Sequence, residues 1–278
     1  MLNLEIRKRF DQYFSTSFCK FVRIIMASKI YFASDFHLGT PSEEESRLRE
    51  KRIISWLDFI KKDASELYLM GDIFDFWFEY KHVVPKGYIR FLGKLAELSD
   101  AGVKLTFFKG NHDMWMFGYL TEELGATIVS DDLIIERNHK RFYLHHGDGL
   151  GPGDTSYKYL KKIFRSNLCQ WLFARLHPNF GIGIAKKWSQ HSRISSGKIE
   201  HFENENKEWL ISYVRQYLEG AAETQTSIDY FVFGHRHLPL TIPVENSLYI
   251  NLGEWIHFNT YAVFDGDKLE LKTWEYSA

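Results

Sequence analysis

Apolar positions recur along this chain with two different periods, and the alternation between them lays out its elements. Residues 29–33, Lys-Ile-Tyr-Phe-Ala, read as a buried strand that stops at Ser34-Asp35-Phe36-His37. Ser42 followed by Glu45 is a capping-box signal, and over residues 47–62 Leu48, Ile53, Trp56, Leu57 and Ile60 return at helical spacing. Residues 66–70 form the next strand, so the opening unit is strand, helix, strand, and it delivers Gly71-Asp72. Pro85 suits the first turn of a helix that closes near Gly102, and residues 103–109 make a third strand ending in Gly110-Asn111-His112-Asp113. Two further strands, 127–136 and 141–146, are joined by the polar turn Arg137-Asn138-His139-Lys140 and end in His146-Gly147-Asp148-Gly149.

From residue 150 to about 227 the period changes to helical. Leu160, Ile163, Phe164, Leu168, Trp171, Leu172 and Leu176 repeat every three to four residues with basic residues between them, which predicts a helical insertion. Residues 204–218 read as a helix returning to the sheet, and residues 228–233 as the strand presenting Gly234-His235-Arg236-His237. The tail, 240–274, is β-rich with an Asp265-Gly266 hairpin signal. No repeat, low-complexity tract or flexible linker divides the chain, so residues 27–278 are expected to form one domain, with 150–227 inserted as a cap.

Composition narrows the class. The two cysteines, Cys19 and Cys169, form no CxxC pair, which argues against a disulfide framework or thiolate metal site and points to a reducing, cytoplasmic compartment. Net charge is −1, but residues 155–199 hold nine Lys or Arg and no acid, leaving 26 basic against 36 acidic residues elsewhere. That imbalance predicts a local anionic partner and not a nucleic-acid-binding protein. No protein partner is predicted. Residues 1–26 contain no membrane-spanning run, and Lys20 and Arg23 interrupt their apolar stretch. They admit two readings: an extension upstream of a start at Met26, or an amphipathic anchor with Phe10, Phe14, Phe18 and Phe21 set apart from Arg7, Lys8 and Arg9.

The polar clusters fall at the carboxyl ends of successive strands, where layered α/β proteins place their chemistry. In extended backbone residues two apart point the same way, so Asp35 and His37 are expected to converge on one cation. Asp35, His37, Asp72, Asn111, His146, His235 and His237 are all oxygen or imidazole donors, which suits Mn, Fe or Zn. Seven donors exceed one ion's needs; two divalent ions sharing a carboxylate would use them all. Taken singly, Asp-x-His is commonly a solvated strand end and His-x-His a weak signal, so the ordered set carries the reading. His82, His139, His145, His177, His191, His201 and His257 read as structural or surface residues, and Phe74, Phe76, Trp77, Phe78 and Tyr80 mainly as core.

Asp35-x-His37, Gly71-Asp72, Gly110-Asn111-His112-Asp113, His146-Gly147-Asp148 and Gly234-His235-x-His237 together resemble the signature of the calcineurin-like metallophosphoesterases. The resemblance implies a layered α/β fold of two facing mixed β-sheets flanked by helices. It assigns Asp35, His37, Asp72 and His237 to one metal and Asp72, Asn111, His146 and His235 to the other, with Asp72 as bridge and manganese as the expected ion. His112, oriented by Asp113, would bond a phosphate oxygen as charge develops.

Within that superfamily Asp35-Phe36-His37-Leu38, Gly71-Asp72-Ile73-Phe74-Asp75, the helical insertion and Leu252-Gly253-Glu254-Trp255 are similar to the UDP-2,3-diacylglucosamine diphosphatases of lipid A biosynthesis. This implies a substrate cap using Asp154, Tyr157, Ser192, Arg193 and Lys198. It also implies work at an anionic membrane surface on the cytosolic side, on a lipid-linked UDP-sugar. Two positions depart from that pattern, which has Arg where this chain has His112 and Thr where it has Arg236. The basic, amphipathic insertion fits an acylated anionic substrate; an ordinary helical hairpin with solvated lysines is the competing reading.

Overall fold

The computed structural model describes residues 28–151, 155–196, 202–222 and 227–276. The amphipathic reading of residues 1–26 lies outside them. Strand β1 (Lys29–Ala33) alternates cleanly: Ile30 and Phe32 face one side, Tyr31 and Ala33 the other, and all four are buried. Helix α1 (Glu43–Ile60) begins where the capping box predicts, with the Ser42 hydroxyl oxygen accepting from the Glu45 amide at 3.1 Å. It buries Ile53, Trp56, Leu57 and Ile60. Strand β2 (Ala64–Leu69) pairs in parallel with β1, and β3 (Lys104–Phe108) with β2.

Helix α2 (Ile89–Asp100) starts later than the position of Pro85 suggests. Tyr88, immediately before it, is left-handed at φ 58°, so the chain cannot be helical until Ile89, and Pro85 stays in the preceding loop. The buried Glu50 of α1 accepts the Phe91 amide at 3.1 Å, doing the work of a cap that the sequence does not supply locally.

Residues 127–136 are not one strand. After the short helix α3 (Tyr119–Leu124), β4 (Thr127–Val129) joins β3, whereas β5 (Leu133–Arg137) pairs with β6 (Lys140–His145) in a second sheet. The exposed Ser130-Asp131-Asp132 between them is the crossover. The β5–β6 turn is as expected, with Asn138 and His139 both at positive φ.

Helices α4 (Thr155–Arg165), α5 (Asn167–Phe173) and α6 (Pro178–Ser196) follow. A short 3-10 turn, Glu205–Lys207, precedes α7 (Trp209–Ala222). Strands β7 (Tyr230–Phe233), β8 (Pro239–Val244), β9 (Ser247–Leu252), β10 (Thr260–Phe264) and β11 (Leu269–Thr273) complete the chain.

The first sheet runs β11-β10-β1-β2-β3-β4 and the second β5-β6-β7-β9-β8, both mixed. Their facing sides meet through Ile30, Phe32, Met70 and Phe108 against Phe142, Leu144, Val232 and Ile250. Outside the first sheet lie α1 and α2; outside the second lies α7, burying Leu210, Ile211 and Val214 against Phe231, Phe233 and Tyr249. The expected fold class is the one observed.

Helices α4 to α6 take no part in these layers. They seat on Phe76, Phe78, Met114 and Trp115, through Phe164, Cys169, Phe173, Ile182 and Ala185. The aromatic run therefore divides, Phe74 and Trp77 entering the core while Phe76 and Phe78 carry the cap. The helical stripe does not pack inward along its length. Tyr159, Ile163, Leu168, Trp171, Leu172, Phe180 and Ile184 stay exposed.

Candidate metal centre

Five parallel strands, β1, β2 and β3 of the first sheet and β6 and β7 of the second, end side by side. Beyond β1 and β2 the chains continue paired, His37 donating its amide to the Asp72 carbonyl at 2.9 Å and Leu38 to that of Ile73 at 3.0 Å. This brings the Asp35, Asp72, Asn111, His146 and His235 loops into one buried cluster.

Convergence of Asp35 and His37 does not come from extended backbone. Asp35, His37, Asp72, His235 and His237 are all left-handed, with φ between 44° and 66°. Each such residue costs of order 1 kcal/mol, moderated because Asp and His tolerate the conformation better than branched residues. The turn it makes folds each side chain back over the strand ends. Gly110 and Gly234 are required for a different reason: a Cβ on Gly110 would overlap the Asp72 carboxylate, and one on Gly234 the Ser34 hydroxyl.

Three overlapping groups result. Asp35, His37, Asp72 and His237 form the first; His37 Nε2 and His237 Nε2 lie 3.0 Å apart, and His237 Nε2 is 3.1 Å from Asp35 Oδ1. Asp72, His146 and His235 form the second, with Asn111 Oδ1 3.3 Å from His146 Nε2. Asp72 is common to both. The third, His37, Asp75 and His112, brings in a residue to which sequence reasoning gave no role. Asp75 Oδ1 is 4.0 Å from His37 Nδ1 and 3.8 Å from His112 Nδ1.

The donor set fits divalent cations. Asp35 Oδ1 is fully buried without a well-directed hydrogen bond, an atom that a cation would satisfy. His146 Nδ1 lies 2.8 Å from the Met70 carbonyl, which can only accept, so Nδ1 carries a proton and Nε2 is the nitrogen turned to the centre, where it could ligate a cation. Burial alone would raise Asp35 and Asp72. The imidazoles of His237 and His37 hold Asp35, and those of His146 and His112 hold Asp72, well below the usual carboxylate range. In return, and against burial, Asp72 and Asp35 raise His146 to about 10. His235 goes the other way, lowered to about 4 by burial and by the charge on His146.

His112 donates its amide to Asp72 Oδ1 at 2.8 Å, and its ring Nδ1 lies 3.1 Å from both the Asp75 carbonyl and Ser189 Oγ. Asp113 does not orient that ring. Its carboxylate accepts the amides of Gly110 (2.9 Å), Asp72 (3.2 Å), Ile73 (2.8 Å) and Phe74 (3.2 Å), clamping the Asp72 loop to the Asn111 loop. Burial and the neighbouring Asp72 charge push it up to about 7, while the amides pull it down.

Among the expected cap residues, Tyr157 gives its hydroxyl to Asp148 Oδ2 at 2.6 Å. Asp154, Lys198 and the side chains of Ser192 and Arg193 lie outside what the structure describes. Two cap cations expected to face a partner are engaged with the body: Lys161 pairs with the buried Asp148 at 2.7 Å and Arg165 with Asp131 at 2.6 Å. Arg236, between the paired histidines, donates Nε to both carboxylate oxygens of buried Glu208 at 3.1 Å, just before α7. Leu252-Gly253-Glu254-Trp255 borders the centre through its backbone, the Trp255 amide donating to the Asp35 carbonyl at 3.2 Å.

The profile of the calcineurin-like phosphoesterases matches residues 28–239. A UDP-2,3-diacylglucosamine hydrolase of Porphyromonas gingivalis is 41% identical over 264 residues, covering 90% of this chain and 99% of that relative. Proteins of the same name from Proteus mirabilis and Yersinia pseudotuberculosis are 27% and 26% identical, covering 86% and 88% of this chain and 96% and 98% of their own lengths.

Proposed function

This chain belongs to the calcineurin-like phosphoesterase family and is a metal-dependent phosphoester hydrolase, and from that premise we propose that its substrate is UDP-2,3-diacylglucosamine. The reaction is hydrolysis of the pyrophosphate by attack of water at the α phosphorus, giving UMP and 2,3-diacylglucosamine 1-phosphate (lipid X) for lipid A biosynthesis. The observation that carries the substrate is the 41% identity to a hydrolase of that name over 99% of its length, so that cap and centre are matched together.

In this reading Asp35, His37, Asp72 and His237 hold one divalent ion and Asp72, Asn111, His146 and His235 a second, with manganese the expected metal. When bound, such ions polarise phosphoryl oxygens and acidify water. The chain's own residues do the rest. Met70 fixes the ligating tautomer of His146, Asp75 stands behind His37 and His112, and His112 offers its Nε2 to a substrate oxygen as charge develops. Asp113 acts on the loops and not on the substrate. Asp154, Ser192, Arg193 and Lys198 are kept as substrate contacts, while Tyr157 holds Asp148.

The cap proper is α4 to α6. Its exposed Tyr159, Trp171 and Phe180, beside Lys162, Arg175 and Lys187, suit a surface that draws an acylated anion from the cytosolic face of the inner membrane. No described helix is long and apolar enough to cross a membrane.

The test is mass-spectrometric product analysis with Mn-loaded protein on UDP-2,3-diacylglucosamine, UDP-glucose and an aryl phosphodiester. UMP release from the acylated substrate, in preference to UDP-glucose, is expected. Cleavage of the aryl ester alone would keep the hydrolase and overturn the substrate.

A further inference from the structure

Helix α6 reaches the centre through Ser189, a buried hydroxyl that neither the metal groups nor the expected cap contacts include. Its Oγ lies 3.1 Å from His112 Nδ1, and the Asp75 carbonyl lies 3.1 Å from the same nitrogen. A carbonyl can only accept, so Nδ1 carries the hydrogen, and the serine oxygen is its second acceptor. One acceptor leaves an imidazole able to pivot about a single bond. Two acceptors at separate points, one from the body and one from the cap, fix the ring plane and leave Nε2 as the nitrogen offered to a substrate oxygen.

The two acceptors come from different parts, Ser189 from α6 and the Asp75 carbonyl from the loop after β2. Beside Ser189, α4 to α6 rest on the body through the Phe76, Phe78 and Trp115 cluster, through Trp115 Nε1 donating to the Phe164 carbonyl at 2.8 Å, and through Lys161 and Tyr157 on Asp148. Near the start of α6, a Cβ on Gly181 would lie 2.7 Å from the Tyr80 hydroxyl, so a larger residue there would have to displace that side chain or the helix.

We propose that Ser189 is a positioning residue for His112, so that the ring is locked in its working orientation only while α6 is seated. The inference rests on the reading of His112 given above. It makes the cap part of the catalytic geometry as well as of substrate selection.

The experiment is Ser189→Ala, with Ser189→Thr to restore a hydroxyl, alone and in a His112→Ala background. Holoenzyme is assayed on UDP-2,3-diacylglucosamine and on an aryl phosphodiester too small to need the cap. Removing one neutral hydrogen bond is expected to lower kcat about tenfold on both substrates, with KM within about twofold and metal content unchanged. Ser189→Thr should recover part of the loss, and Ser189→Ala should cost nothing further once His112 is alanine. In 15N spectra of the zinc-loaded protein, Ser189→Ala should keep the protonated Nδ1 signal of His112 on the Asp75 carbonyl but shift and broaden it as the ring begins to pivot. A loss confined to the lipid substrate and lying in KM would make Ser189 a substrate contact and overturn the proposal, as would additive losses or unchanged His112 signals. If wild-type protein cleaves only the aryl ester, the substrate reading fails, yet the spectra and the double variant still judge Ser189.

Discussion

Asp113 shows how much one carboxylate can organise without touching substrate. It joins four amides from two loops, and both of its oxygens are used. Asp113→Asn keeps the shape but turns an NH2 towards one pair of donors, so a loss of about 1–3 kcal/mol is expected, with metal content falling alongside the melting temperature. Unchanged metal at the wild-type melting temperature would refute the clamp. The centre's protons give a second prediction. Against burial, facing carboxylates raise His146 to about 10, so that ring is charged at pH 7 without metal, and they also raise His237. Imidazole ligates only when neutral, so metal must displace the His146 proton and binding should tighten as pH rises towards 10 and weaken in acid. Calorimetry in buffers of different ionisation heat is expected to report proton release of at least about one per protein at pH 7; none would contradict the charged His146. The residues that gather at the candidate metal centre were legible in the sequence because each sits in a short polar cluster directly after an apolar run. Asp75 and the true partners of Asp113 were not, because their contacts lie about 40 residues away and depend on left-handed turns that no local pattern announces.

Elements were legible where their ends are written locally. Ser42 and Glu45 mark the start of α1, and Asn138-His139 marks a hairpin, both within four residues. The misread elements have distant causes: α2 begins after a left-handed Tyr88 and is capped by Glu50 of α1, and the single strand read over 127–136 is two because its halves pair with different sheets. The basic character of the insertion was legible, but the use of each cation was not. Lys161, 15% exposed, meets an almost wholly buried Asp148, and Lys161→Ala is expected to loosen α4 and α5 by up to about 3 kcal/mol, less what the Tyr157 hydroxyl retains. Hydrogen exchange should then rise over residues 155–173 and stay unchanged in β1 to β3; uniform exchange across the molecule would deny the latch.

For the whole molecule, the proposed membrane contact is a property of the cap surface. With Lys161 and Arg165 engaged inward, Lys162 and Lys187 are the cations to reverse. Lys162→Glu with Lys187→Glu is expected to weaken sedimentation with anionic vesicles by roughly 1 kcal/mol per residue at low salt, and less as salt rises. Equal binding to neutral vesicles would leave only the apolar side chains responsible. The facing of two mixed sheets followed from the likeness to a family and not from periodicity, since β-period alone does not say which strands share a sheet. That arrangement places Asp35, Asp72 and Asn111 at the edge of one sheet and His146, His235 and His237 at the edge of the other. A cation gripped from both sides is a rivet across the seam. At a hundred times its dissociation constant, a ligand that binds only the folded chain adds about 2.7 kcal/mol. Chelation should let the seam gape first, so that a protease cuts the strand-end loops before either sheet melts. Metal supply would then govern how long each copy survives in the cell, and scarcity would thin the enzyme's numbers as well as silence it.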